Sequence, residues 1–182
     1  MLSKWVNMDS YRSKGYTGKG VVVGVIDTGF TIDHPELKGR VLEVHTTQSN
    51  NNDYSDVTNH GTSVASIIAG KTVGVAPDAE LILYKATVSG TTIMGAGAIT
   101  EAIKYFTRWR GPNGKRVNII NMSLGSSVKW LDMKEAIEEA VAQGILVVCA
   151  AGNSGDNDAS TEEWAYPAGY DVCVAVGAHS AD

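Results

Sequence analysis

Unbroken apolar runs alternate along this chain with stretches whose apolar positions recur every three or four residues. The run VVVGVID at residues 21–27 is β-branched almost throughout, as expected of a strand covered on both faces. Similar runs predict four more strands: AELILYKAT at 79–87, RVNIINMSL at 116–124, ILVVCAA at 145–151 and DVCVAVGA at 171–178. A short extended piece is expected near 41–44. Three helical patterns lie between them. GTSVASIIAG at 61–70 is a helix of small residues that must pack closely. GAITEAIKYFTRWR at 97–110 puts Ile99, Ala102, Ile103 and Phe106 on one face. LDMKEAIEEAVAQG at 131–144 is amphipathic and ends at Gly144, a residue suited to closing a helix.

Strand and helix in alternation predict an α/β fold with three layers around a mainly parallel central sheet. Crossovers are then right-handed. Sites in such sheets form beyond the carboxyl ends of the strands. The 182 residues fit one domain, 1–182, with residues 1–20 as an N-terminal extension packing on it. A chain of this length buries about 70% of its unfolded surface.

Composition narrows the function classes. Hydrophobic residues make up 43% and charged residues 19%, as in an ordinary globular protein. Fifteen Lys and Arg against 20 Asp and Glu leave a net charge of −5, which argues against nucleic acid or an anionic membrane as partner. Arg108, Arg110, Lys115 and Arg116 read as a solvated helix end and loop, since no glycine-rich phosphate loop accompanies them. Cys149 and Cys173 sit in apolar runs and read as buried reduced thiols; a disulfide between neighbouring strands is the rarer alternative. No run approaches the roughly 18 apolar residues of a membrane span. The N-terminus shows no leader pattern, so a cytoplasmic location is expected, or a secreted one if a leader has been removed.

The strand ends carry the candidate chemistry. The first run ends in Asp27-Thr28-Gly29, and the third in Asn121-Met122-Ser123-Leu124-Gly125. The fourth continues into Ala150-Ala151-Gly152-Asn153-Ser154-Gly155, and His60 opens the small-residue helix. Taken singly, each has an ordinary structural reading: a turn at Asp27, an exposed histidine near a helix start, a loop asparagine at 153. Together they place an acid, an imidazole and an amide donor on one rim. Two other sources of such motifs fit poorly. Aspartic proteases also carry Asp-Thr-Gly, but are all-β and need two such aspartates; this chain has one, in an α/β pattern. VVVGVIDTG also lacks the Gly-x-Gly-x-x-Gly of a dinucleotide site.

VVVGVIDTGFTIDHPEL, NHGTSVASIIAG, VGVAP, VNIINMSLG, AAGNSG and YPAGYDVCVAVGA follow one another in an order and spacing that resembles the subtilisin-like serine proteases, or subtilases. Asp27 and His60 lie 33 positions apart, and His60 and Asn153 lie 93 apart. The resemblance implies a serine endopeptidase acting on polypeptide in extended conformation. His60 would be its general base, Asp27 the carboxylate that orients the imidazole, and Asn153 the amide that donates to the oxyanion. Ser123, Leu124 and Gly125 would pair with the substrate backbone, with Ala150, Ala151 and Gly152 as a second wall. The family's nucleophile stands on a later Gly-Thr-Ser-Met-Ala motif at the start of a long helix, and residues 1–182 hold no such motif. The fold is therefore expected to lack the C-terminal part of the family's domain. Ser63, Ser123, Ser126, Ser154 and Ser180 match no nucleophile position. A near-inert chain is expected, completed by a downstream segment or partner chain, with apolar sheet surface exposed where the family's helix would pack. The alternative is a catalytically inactive relative acting as a peptide-binding or regulatory module. No cofactor is expected: Glu36 stands where the family has an aspartate ligand to calcium, but the carbonyl-bearing loop near 69–72 is short. The oxygen-rich stretches NNNDYSD (50–56) and SGDNDASTEE (154–163) read as solvated loops.

Overall fold

A computed structural model describes residues 7–47, 52–88, 91, 94–156, 158 and 160–178. Six parallel strands form one sheet: β1 (Val22–Asp27), β2 (Val41–Thr46), β3 (Glu80–Lys85), β4 (Ile119–Met122), β5 (Leu146–Ala150) and β6 (Val174–Val176). Their order across the sheet is β2-β3-β1-β4-β5-β6. From β1 the chain crosses to the edge strand β2, returns inward to β3, and then reverses to build outward on the other side through β4, β5 and β6. The crevice at that reversal, beyond the carboxyl ends of β1 and β4, is where such sheets place their sites.

Helices cover both faces, as the alternation predicts. α1 (Met8–Ser13) precedes β1, α2 (His60–Ala69) precedes β3, and α3 (Ala96–Arg108) and α4 (Leu131–Ala142) flank β4 in sequence. One face of the sheet packs Ile26, Ile120, Met122 and Val147 against Phe106 of α3 and Ile137 of α4. Ile99, Ala102, Ile103 and Phe106 are all buried there. Gly24 admits the Phe106 ring, since a Cβ at that position would lie 2.6 Å from it. The other face packs Val23, Val25, Leu81 and Leu83 against Ala65 and Ala69 of α2. Small residues on α2 let it approach closely enough to carry His60 to the end of β1.

That second face is only half covered. Strand register aligns Val23 with Ile119 and then Leu146, and Val25 with Asn121, Val148 and Val174. The row is sealed at β1 and open at its far end: Leu146 is 48% exposed, Val174 44% and Val176 52%. No helix among the described residues rests on β5 or β6 from that side. Exposed apolar sheet surface is expected of this chain, and among the described residues it lies on this side of β5 and β6.

Two elements differ from expectation. β2 is a full edge strand rather than a short extended piece, with a bulge between Val41 and Glu43. β6 holds only three residues, because the chain before it is spent on turns closed by Gly169 N–H to Ala165, Tyr170 N–H to Pro167 and Cys173 N–H to Tyr170. The N-terminal extension is described from Asn7: Met8 is buried, and Asp78 N–H donates to the Thr17 carbonyl at 2.8 Å. Residues 1–6 and Ser180 lie outside the described residues. Both cysteines are free thiols, Cys149 buried and Cys173 half-buried.

Candidate active site

β1 delivers Asp27 to the sheet edge fully buried, and α2 starts with His60 opposite it. His60 Nδ1 donates to Asp27 Oδ1 at 2.6 Å. With a carboxylate as its partner, Nδ1 carries the proton, which leaves the Nε2 lone pair free to accept one. His60 is half-exposed and lines a cleft of about 480 Å³ that also touches Ser123, Leu124 and Gly125. The cleft's apolar lining includes Met94, Ile99, Trp130, Met133 and Tyr166.

The four remaining residues of the predicted site lie at the end of the next strand and beyond it: Ala150 closes β5, and Ala151, Gly152 and Asn153 follow in the loop. Register pairs Met122 of β4 with Cys149 of β5, so Ser123 and Ala150 leave the sheet side by side. Gly125 and Gly152 both abut Ala165: a Cβ on the first would lie 3.4 Å from its methyl, and on the second 2.9 Å. Residues 123–125 and 150–152 are thus two walls with Ala165 between them. Tyr166 is held behind them by paired backbone bonds to Ser126 of 2.9 and 2.7 Å. Ala150, Ala151, Gly152 and Asn153 do not line the cleft that contains His60, and Asn153 is exposed on the loop after β5.

Three of the candidate serine hydroxyls have hydrogen-bond partners of their own. Ser63 Oγ donates to the Asn59 carbonyl at 2.6 Å, a bond one turn back along its own helix. Ser123 Oγ accepts from the Asn121 amide at 3.1 Å, and Ser126 Oγ accepts from Val128 N–H at 3.1 Å.

A match to the subtilase family covers residues 18–182. The chain belongs to that family. It is 40% identical over 180 residues to the major intracellular serine protease of Bacillus subtilis (strain 168), spanning 92% of this chain and 54% of that one. It is 39% identical over 177 residues to the intracellular serine protease of Paenibacillus polymyxa, spanning 91% and 51%. With subtilisin DY of Bacillus licheniformis the identity is 38% over 178 residues, spanning 95% and 61%. The chain covers about half the length of the first two relatives.

The subtilase pair is braced by residues that sequence reading missed. Asp56, read as part of a solvated loop, is half-buried and acts as a hub. Its Oδ2 accepts from Thr62 N–H at 2.8 Å and from Thr62 Oγ1 at 2.6 Å, and its Oδ1 accepts from Thr28 Oγ1 at 3.0 Å. Thr28 follows Asp27 and Thr62 lies two residues beyond His60, so one carboxylate ties the Asp27 and His60 segments together. Burial alone would push the Asp56 carboxyl up, but the bonds from Thr62, Thr28 and Thr58 outweigh it and hold it below the usual value. Behind this hub Lys85, fully buried, donates to Asp53 at 3.1 Å and to the Ser55 carbonyl at 2.9 Å. The loop is pressed so close that a Cβ on Gly29, at φ 145°, would lie 2.2 Å from the Ser55 carbonyl oxygen. Gly61 likewise admits the Gly29 carbonyl. The 154–163 stretch stays exposed where it is described and bonds to itself, Asp156 and Asp158 accepting from Asp158 N–H and Ser160 N–H; Asn157 and Ala159 lie outside the described residues.

Asp27 has an energetic cost. Burial pushes its carboxyl above the ordinary 3.8, against the opposing bonds from His60 and Thr28, and its Oδ2 is buried without a partner. A raised acid favours the folded state only while it is protonated. That contribution is full below the ordinary carboxylate value and is lost as pH rises through the folded one. Once pH has risen through that folded value, the buried charge works against folding. Asp27→Asn is expected to melt at or above the parent temperature at pH 7, read by circular dichroism; a clearly lower melting temperature would contradict this account. Among the described residues, no group of three or more His, Cys, Asp or Glu is placed to hold a metal ion.

Proposed function

We propose that this chain is the part of a subtilisin-type serine endopeptidase that carries the base, its orienting acid and the substrate walls, while the nucleophilic serine comes from a segment outside residues 1–182. The observation that carries this reading is the 2.6 Å contact of His60 Nδ1 with Asp27, at the edge of a cleft walled by Ser123, Leu124 and Gly125. His60 Nε2 takes the serine proton as the hydroxyl attacks the scissile carbonyl, and returns it to the leaving amine. Asp27 stabilises the imidazolium formed in between. Asn153 donates to the oxyanion. An extended polypeptide adds as a strand along residues 123–125, affinity coming from main-chain bonds and selectivity from the cleft. The apolar lining selects a large apolar side chain on the substrate.

The engaged Ser63 hydroxyl supports a nucleophile from elsewhere, and so does the half-covered sheet face. Two relatives are named intracellular serine proteases, and we assign this protein the same location, with no cofactor and with neither nucleic acid nor membrane as partner. Among the described residues no helix is long and apolar enough to cross a membrane.

A fluorophosphonate probe tests the assignment. The 182-residue chain should stay unlabelled. Mixed with, or fused to, the C-terminal half of the Bacillus subtilis relative, it should support labelling of that half's serine. No labelling in any preparation would favour a peptide-binding module with no catalysis. Labelling of the chain alone, lost in Ser63→Ala, would overturn the assignment of the nucleophile to an external serine.

A further inference from the structure

The turn after α2 is where the family resemblance implies a calcium ion. The residues there do not fit one. Calcium takes six to eight oxygen ligands. What converges on the Glu36 carboxylate is a set of donors: Thr72 N–H at 2.8 Å, the Thr72 hydroxyl, and Val73 N–H at 3.3 Å. Lys71 N–H donates to the Glu36 backbone carbonyl at 3.2 Å. Positive ends of dipoles therefore surround the acid that would have to hold a cation.

The carbonyls that could supply oxygen are spoken for. Gly70 C=O accepts Gly74 N–H at 3.0 Å, and Ile67 and Ile68 C=O accept from Val75 and Ala76 at 2.8 and 2.9 Å. The Gly74 carbonyl accepts the guanidinium of Arg12, which reaches over from α1. Arg12 Nε is buried beside this contact without a partner of its own. The turn is also closed to volume. A methyl on Gly74 would lie 2.3 Å from Gly70 N, and one on Gly70 would lie 2.7 Å from a Glu36 carboxylate oxygen.

We propose that Arg12 and Glu36 form a metal-independent clamp: a fixed guanidinium on the Gly74 carbonyl and a fixed carboxylate on the Thr72–Val73 amides hold the turn where relatives would use an ion. The clamp joins α1 to the C-terminal end of the helix whose first residue is His60. It thereby anchors the N-terminal segment to the element that positions the base. A dication is kept out by the donors facing Glu36, by the Arg12 charge and by the lack of room.

The test uses the 182-residue chain itself. Its melting temperature should agree within about 1 °C in excess EDTA and in millimolar calcium, since a bound ion would raise it by mass action. Arg12→Ala should melt lower by about 2–6 °C in both buffers, with no recovery on adding calcium. Hydrogen exchange at Thr72, Val73 and Gly74 should speed up about tenfold in Arg12→Ala and in Glu36→Gln, a drop of about 1.4 kcal/mol in the free energy of opening. If Arg12→Ala fails to fold, Arg12→Lys and Glu36→Gln give the same reading through exchange at those amides. The proposal is overturned by an EDTA-sensitive melt of the parent chain, by stoichiometric calcium heat in a titration, by calcium rescue of Arg12→Ala, or by exchange unchanged in the variants.

Discussion

His60→Ala, made in this chain and assayed after completion with a nucleophile-bearing C-terminal half, is expected to lower kcat by about 10⁶. That is the loss measured when a subtilisin triad is deprived of its base, and the geometry here gives the same reason for it. His60 reaches Asp27 at 2.6 Å through Nδ1, and among the described residues no other imidazole lines the cleft. The other members then follow in a fixed order. Asp27→Asn should cost about 10⁴, because the amide leaves the ring in place but holds the wrong tautomer. Asn153→Ala should cost about 10²–10³, the worth of one oxyanion donor. Ser63→Ala should cost nothing, since that hydroxyl serves the Asn59 carbonyl. KM should change little in His60→Ala, because the substrate walls at 123–125 are untouched. Burst kinetics with a chromogenic peptide ester read all four. A Ser63→Ala loss comparable with that of His60→Ala would sink the assignment, as would an Asn153→Ala loss within twofold of the parent.

Much of the fold was legible because burial in a parallel sheet leaves a simple trace. β1 is buried at every position, and an unbroken β-branched run is how such a strand reads. β2 was under-read for the opposite reason. It is an edge strand whose polar residues are satisfied sideways: Glu43 accepts from Tyr105 at 2.7 Å and from Trp109 at 3.0 Å. Those partners lie some sixty residues away, so nothing local marks Glu43 as anything but solvated. Apolar content predicted a longer β6, but pairing with β5 extends over only three positions.

The site divides in the same way. Asp27 and His60 were legible because each stands at a strand or helix boundary within a recognisable motif. Asp56 and Lys85 were not. A charged residue in a loop looks solvated until its partner is known, and Lys85 meets Asp53 from 32 positions away. One signal was available. Lys85 closes the apolar run LILYK, and a lysine inside a strand buried on both faces needs an acid opposite it. The basic cluster at 108–116 is the solvated helix end and loop that its sequence suggested: Arg108, Arg110 and Arg116 are exposed, and the added detail is local, Arg110 donating to the Thr107 and Trp109 carbonyls and Lys115 pairing with Glu80.

Leu146→Thr is expected to behave differently in the two forms of the protein. In the 182-residue chain Leu146 is 48% exposed, so its replacement by another strand-forming residue should cost less than about 1 kcal/mol. In the completed protein the same substitution should cost about 2–3 kcal/mol, the range for removing a buried leucine side chain. The difference arises because Leu146 continues a row that is already core at β1: Val23, Ile119 and Leu146 lie side by side in register. Val174 and Val176, on the adjoining strand, are open for the same reason, and together they make an apolar patch next to a sheet edge, a surface that calls for a cover. Hydrophobic dye binding by the chain alone should fall when the C-terminal half is added, and the melting temperature should rise. Urea unfolding of parent and variant, with and without that half, gives the coupling directly. Equal costs in both forms would mean that the downstream segment packs elsewhere. The link between an exposed sheet face and an externally supplied serine would then be broken, because the helix that covers β5 and β6 is the one expected to bring the nucleophile to His60.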